Sequence, residues 1–207
     1  MRWLVVIPVK PLAAAKRRLR GAVPDPAHGD LVLAMALDTV AAALSLADVL
    51  VVCDEQTVRE ATLELGAQAV PDKPQAGLNA ALRFGADGAQ GPVAALAADL
   101  PALRPADLAA ALSAAGGVGV RAFVPDFSGT GTTLLSAPAG RSLDPRFGTG
   151  SARAHRASGA RSLAGDWPTL RHDVDTPADL VRAEALGLGV HTAHLLADVR
   201  LHTDVGR

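Results

Sequence analysis

The sequence has no tyrosine, four phenylalanines, two tryptophans and one cysteine, so aromatic residues make up only 3% of its 207 residues. With Cys53 as the single thiol, no internal disulfide can form, and a reducing compartment is the natural one. Long hydrophobic runs are also missing. The N-terminal stretch MRWLVVIPVKP is too short for a secretory core and is broken by Pro8. No run approaches the ~20 apolar residues that a membrane span needs. A cytoplasmic location is expected. Charge of one sign is absent as well: 20 Lys and Arg against 21 Asp and Glu leave a net charge of −1, so bulk charge points to neither a nucleic-acid nor a membrane partner.

What is present is small and apolar. Hydrophobic residues make up 49% of the chain, much of it alanine, which suits close packing of helices on a sheet. The length fits a single α/β domain, 1–207, large enough to bury roughly 70% of its unfolded surface without disulfides. The bulky run Trp3–Ile7, ended by Pro8, reads as a buried parallel strand, and a basic loop Val9–Gly21 follows. A helix starts near Asp30, its candidate N-cap, with Leu33, Leu37, Val40 and Leu44 toward the sheet. Val49–Cys53 is the second strand, with Cys53 a small buried hydrophobe. Helix Glu55–Leu65, strand Ala67–Val70, helix Gly77–Gly85, strand Val93–Ala97 and helix Pro105–Ala115 continue the alternation. The rhythm then changes. Strands Ala122–Val124 and Thr132–Ser136, helix Ser151–Ser158, strand Arg171–Val174 and helix Pro177–Leu186 are expected, and the tail after Gly187 has no clear periodicity. Such alternation predicts a three-layer α/β/α fold with a mostly parallel sheet, whose ligands bind beyond the carboxyl ends of its strands.

The residues at those strand ends carry the chemistry. Lys10, Lys16, Arg17, Arg18 and Arg20 crowd the loop after the first strand, where a phosphate chain would need cations; a solvated basic loop is the plain alternative. The loop is neither a Walker A motif nor a Rossmann fingerprint. Asp99 follows the fourth strand as a metal ligand or a cap. Asp173 and Asp175, two apart at a strand end, would share one face, where a hard cation such as Mg²⁺ would relieve their repulsion. Asp175 is also placed to cap the helix beginning at Pro177. Gly77 permits close backbone approach, and Asn79 offers an amide to a base or ribose. Arg146–Ser151 and Gly129–Thr132 read as two small-residue anion cradles. The histidines, His155 and His172 among them, show no zinc spacing.

Taken in order, Pro8-Val9-Lys10, Ala15-Lys16-Arg17-Arg18-Leu19, Asp99-Leu100-Pro101, Gly129-Thr130-Gly131-Thr132, Arg146-Phe147-Gly148 and Asp173-Val174-Asp175-Thr176-Pro177 resemble the 2-phospho-L-lactate/phosphoenolpyruvate guanylyltransferases of coenzyme F-420 biosynthesis, over about residues 3–190. The resemblance implies the nucleotide-diphospho-sugar transferase type of fold. It implies Asp99, Asp173 and Asp175 as ligands of Mg²⁺ and, with Lys16, as the catalytic set. Thr132, Gly148 and Ser151 would hold a small phosphorylated three-carbon acid. Pro8, Val9, Lys10, Lys16, Arg17, Gly77, Leu78 and Asn79 would hold GTP. Ala98 and Thr149-Gly150 depart from the expected glycine and Pro-Asp of relatives. A homodimer is compatible with this reading. The rivals are a molybdenum-cofactor or sugar-phosphate nucleotidyltransferase, which would carry Leu-Ala-Gly-Gly where this chain has Ile7-Pro8-Val9-Lys10, and a non-catalytic nucleotide-binding module.

Overall fold

The computed structural model describes residues 2–13 and 15–205, with side chains through His202; Ala14, inside the basic loop, lies outside the described residues. Strand β1 (Leu4–Pro8) runs through the centre of the molecule. Its side chains alternate, Val5 and Ile7 entering one core and Val6 the other, as the period of two in a strand requires. Parallel partners β2 (Asp48–Val52) and β3 (Gln68–Val70) extend the sheet to one side. On the other side lie β4 (Val93–Leu96), β6 (Thr132–Ala137), β5 (Ala122–Pro125) and β7 (Arg161–Ser162). The order is β3-β2-β1-β4-β6-β5-β7, and β6 alone is antiparallel to both neighbours. The chain steps outward from β1 to β3, then returns to place β4 on the opposite side of β1. That reversal is the point at which open α/β sheets bind ligands.

Helices α1 (His28–Leu44), α2 (Gln56–Glu64), α4 (Pro105–Gly116) and α7 (Pro177–Leu186) contribute to the larger core, on the Val5/Ile7 face. Helices α3 (Leu78–Ala86) and α5 (Ser151–Ala157) cover the Val6 face. Helix α3 sits so low on the sheet that a Cβ at Gly85 would come within 2.5 Å of Val6 and 2.9 Å of Val52, so only glycine allows that approach. The three-layer, mostly parallel fold is as the sequence predicts.

Five local expectations are corrected. Helix α1 begins at His28 after a 3₁₀ turn, Asp25–Ala27, so Asp30 lies inside the helix and not at its cap. Of the expected stripe only Val40 is fully buried, whereas Leu31 and Met35 are the large side chains sealed in the core. The reason is that α1 is covered twice, by the sheet and by a tail helix, so its apolar residues do not mark one stripe. That tail helix, α8 (Val190–Val205), was not apparent from periodicity. It is held by tertiary contacts: the buried Asp38 carboxylate accepts the His191 and Thr192 amides at 3.0 and 2.9 Å. Arg171–Val174 is no strand; helix α6 (Pro168–Arg171) is followed by a stretch outside any sheet ladder. Finally, Asp25–Leu44 is long and apolar enough to cross a membrane by composition, but 67% of its apolar window is buried inside the fold, which makes it a core helix.

Candidate active site

At the carboxyl edge of β1 and β4 the chain leaves the sheet in two loops. The first, after β1, is pinned at Leu12, whose amide donates to Glu55 Oε2 at 2.7 Å, and at Ala15, whose carbonyl accepts from His28 Nε2 at 3.0 Å. Leu19 is fully buried and anchors its far end. Between the anchors Lys16 takes left-handed backbone angles, φ 51° and ψ 44°, unusual for a residue with a Cβ. That turn aims its ammonium group inward, where it donates to Asp99 Oδ2 and, at 2.5 Å, to Asp175 Oδ1.

Asp99 is set by the segment that carries it. Thr39 of α1 accepts the Leu100 amide at 3.1 Å, and its one hydroxyl hydrogen is shared between the carbonyls of Met35 at 3.0 Å and Ala98 at 3.3 Å, so the turn after β4 is fastened to α1. The second acidic segment is fastened to the first, the Val174 amide donating to the Asp99 carbonyl at 3.0 Å. Val174 points into the core, fully buried, and in an extended chain its neighbours Asp173 and Asp175 must then point the other way. The shared face expected of the two carboxylates is therefore present without a strand. Ligand atoms of Asp99, Asp173 and Asp175 lie within 4.8 Å of one another. Burial, followed by the charge of Asp175 and Asp126, pushes the Asp173 carboxyl above its ordinary value against the opposing pull of Lys16. Asp99 Oδ1 is buried with no partner. An orphaned carboxylate oxygen, a neighbour resisting ionisation and an all-oxygen donor set together fit a hard divalent cation.

The cap alternative for Asp175 is resolved. Thr176 caps α7 in a capping box: its hydroxyl accepts the Asp179 amide, and the Asp179 carboxylate accepts the Thr176 amide at 2.9 Å. Asp175 is thereby released to the cluster, half-exposed at its rim.

A cavity of about 420 Å³ opens beside this cluster. Pro8, Val9, Lys10, Lys16, Arg17 and Arg18 line one side, and Leu78, Leu82 and Phe147 another, with Asp99 and Asp175 at the lip. Of the residues expected at a nucleotide, Gly77 and Asn79 are not among the lining. Gly77 caps α3 with φ 87°. The Asn79 side chain is spent on the chain itself: it accepts the Phe147 amide at 2.7 Å and donates to the Phe147 carbonyl at 3.0 Å.

Against this geometry, residues 3–207 match the family model described as Guanylyl transferase CofC like. The chain belongs to this family. A phosphoenolpyruvate guanylyltransferase of Salinispora arenicola is 59% identical over 198 residues, covering 93% of this chain and 92% of the relative. One from Geodermatophilus obscurus is 55% identical, with 94% of each covered. Among solved structures, a Desulfovibrio desulfuricans protein assigned as a nucleotide-diphospho-sugar transferase superposes with a TM-score of 0.62 at 17% identity, covering 89% of this chain and 96% of that one, which speaks to the fold alone. The guanylyltransferase is thus a nucleotidyltransferase whose three aspartates and cationic loop meet at the switch point of its sheet.

The residues expected at the acceptor lie where β6 begins, beside the end of β4: the Ala97 amide donates to the Thr133 carbonyl at 2.8 Å. Thr132 meets His155 of α5, and Gly148 accepts the Ser151 amide at the start of that helix. One expectation fails. Gly129–Thr132 is no empty anion cradle, because the Asp126 carboxylate fills it, accepting the Thr130 amide at 3.0 Å and the Ser128 hydroxyl at 2.9 Å. Glycine is needed at 131 because a Cβ there would sit 2.5 Å from Asp126 Oδ2. Sequence reasoning also passed over Thr39, Asp126 and His155. His155 had a legible signal in its place four residues after Ser151 on one helix face; Thr39 had none, since its role depends on α1 crossing the end of β4.

Proposed function

We propose that this guanylyltransferase moves GMP from GTP onto the phosphate of phosphoenolpyruvate, releasing pyrophosphate, in the cytoplasmic biosynthesis of coenzyme F-420, with 2-phospho-L-lactate as the alternative acceptor of the same class. One observation carries the reading: Asp99, Asp173 and Asp175 converge within 4.8 Å at the lip of a cavity lined by Lys10, Lys16, Arg17 and Arg18. The names of the relatives supply the acceptor.

The acceptor phosphate is mostly dianionic at neutral pH, since its second pKa is ~6, so it attacks the α-phosphorus of GTP without a general base. That agrees with the absence of a free histidine or thiol at the lip among the described residues. The obstacle is repulsion between nucleophile and triphosphate, each unit pair costing about 4 kcal/mol at ~4 Å and an effective dielectric near 20. Lys10, Arg17 and Arg18 face the triphosphate, and Lys16 stands between it and the carboxylates. Asp99, Asp173 and Asp175 hold Mg²⁺, which supplies charge neutralisation of the phosphate oxygens when bound. Pro8, Val9 and Leu78 pack against the nucleoside, and Asn79 serves GTP indirectly by fastening Phe147. Thr132, Gly148 and Ser151 orient the acid. The reading places these roles in one domain, 1–207, and extends to a homodimer, for which the exposed Val181, Val190 and Leu201 of the last two helices offer apolar surface; sedimentation tests it.

A matrix of four nucleoside triphosphates against phosphoenolpyruvate, 2-phospho-L-lactate and 3-phosphoglycerate, with and without Mg²⁺, tests the assignment. The expected result is Mg²⁺-dependent pyrophosphate release and a product of the mass of a guanylylated acid. Nucleotide binding with no pyrophosphate release for any pair would favour a non-catalytic module.

A further inference from the structure

His155 is fully buried on α5 and uses both ring nitrogens. Nε2 lies 2.9 Å from the backbone nitrogen of Arg146, and Nδ1 lies 2.9 Å from Thr132 Oγ1. The ring is wedged by Phe147, edge-on at 5.1 Å between centroids, and by Phe123 at 5.7 Å. A backbone amide can only donate, so Nε2 must offer its lone pair. The imidazole is then neutral, its proton sits on Nδ1, and that proton is donated to Thr132 Oγ1. A hydroxyl has one hydrogen, and Thr132 has no need to spend it on His155.

We infer that His155 is a positioning residue that turns the Thr132 hydroxyl outward as a donor to the phosphate or carboxylate of the acceptor acid, while fixing the loop that ends at Gly148. The inference rests on the reading of Thr132 and Gly148 as acceptor contacts. The loop is pinned residue by residue: Arg146 by His155, Phe147 by Asn79, and Gly148 through its carbonyl, which accepts the Ser151 amide at 3.0 Å. Phe147 lines the cavity beside the aspartates, but Asn79 holds it independently of His155, so the acceptor end of the loop is the part that His155 alone secures. The surroundings keep the ring neutral. Burial first, then the charges of Arg121 and Arg146 over the opposing Asp144, hold its pKa down at about 4. The Arg156 guanidinium of its own helix lies over Phe123, 5.8 Å from the ring centroid, adding a further cation to that side.

The test separates the two hydrogen bonds. His155→Phe keeps an aromatic ring and removes both. His155→Asn keeps a donor toward Thr132, and His155→Gln keeps an acceptor toward Arg146. His155→Phe is expected to raise KM for phosphoenolpyruvate about tenfold with KM for GTP within about twofold. His155→Asn should recover most of that loss and His155→Gln less, and Thr132→Val should add nothing further to His155→Phe. In the wild-type protein, ring ¹⁵N shifts at pH 7 should show a neutral imidazole protonated at Nδ1. Equal rises in both KM values, equivalent behaviour of the Asn and Gln variants, or a ring protonated at Nε2 would overturn the inference. If the wild-type protein guanylylates none of the three acids, the functional reading falls, and the ¹⁵N shifts still decide the tautomer and with it the direction of the Thr132 hydroxyl.

Discussion

The ends of β1 and β4 and the start of β6 are built on opposite principles. At the ends of β1 and β4 the groups are charged and underpaired: three carboxylates, a lysine in a left-handed turn between two of them, and one carboxylate oxygen with no partner. At the start of β6 the contacts run through neutral groups: the His155 ring meets the Thr132 hydroxyl and the Arg146 amide, and the Ser151 amide meets the Gly148 carbonyl. Under the proposed function the first edge would accept a metal ion and a triphosphate, a task for which charges left available are suited. The second would orient a small acid, and contacts set beforehand serve that role because positioning loses its value if the partners can move.

The largest effect should come from breaking the charged edge. Asp99→Asn or Asp173→Asn is expected to abolish turnover, a loss of roughly 10³-fold or more, with the fold intact by circular dichroism. Near-normal activity in a folded Asp99→Asn protein would remove the metal assignment. Lys16→Met should lower kcat/KM on the order of 10²-fold. Without its ammonium group the cluster should also melt earlier in the absence of metal and gain more from added Mg²⁺ than the wild type does, which thermal unfolding with and without the ion measures.

The neutral edge should answer to pH instead. His155 has its pKa depressed from 6.5 to about 4 in the folded protein. The unfolded chain then binds the extra proton first, so the contribution is complete above pH 6.5 and is lost as pH falls toward 4. That loss is about 3 kcal/mol at most. Chemical denaturation between pH 7 and 4 should show it, and the slope should shrink in His155→Asn. The smallest effect sharpens the boundary between structure and site. Thr176→Ala should cost about 1 kcal/mol through the lost α7 cap while leaving metal dependence unchanged. Asp175→Asn should do the reverse, and equal stability losses in both would restore the cap reading of Asp175.

How legible each edge was follows from the same contrast. The charged edge announces itself in sequence because its residues stand directly after apolar strands: Lys10 behind Trp3–Ile7, and Asp99 behind Val93–Ala97. The Asp173-Val174-Asp175 alternation was readable even though the expected strand lies outside any sheet ladder, since side-chain alternation needs only an extended backbone. The neutral edge was largely hidden. Asn79 looked like a free amide, and Gly129–Thr132 an empty cradle, because nothing local says that Phe147 and Asp126 supply the partners.

The sequence alone determined the layer order, the strand ends from which the cations and carboxylates emerge, and, by resemblance, the family. These rest on periodicity and on neighbours within a few residues. Tertiary structure decided what depends on pairs distant in the chain. It put Lys16 between Asp99 and Asp175, 83 and 159 residues away. It seated α8 on α1 through the Asp38 carboxylate, and it gave the His155 ring its partners at Thr132 and Arg146. Each of these is a polar group satisfied across the fold, and such a group takes whatever partner the packing brings, which no local pattern records.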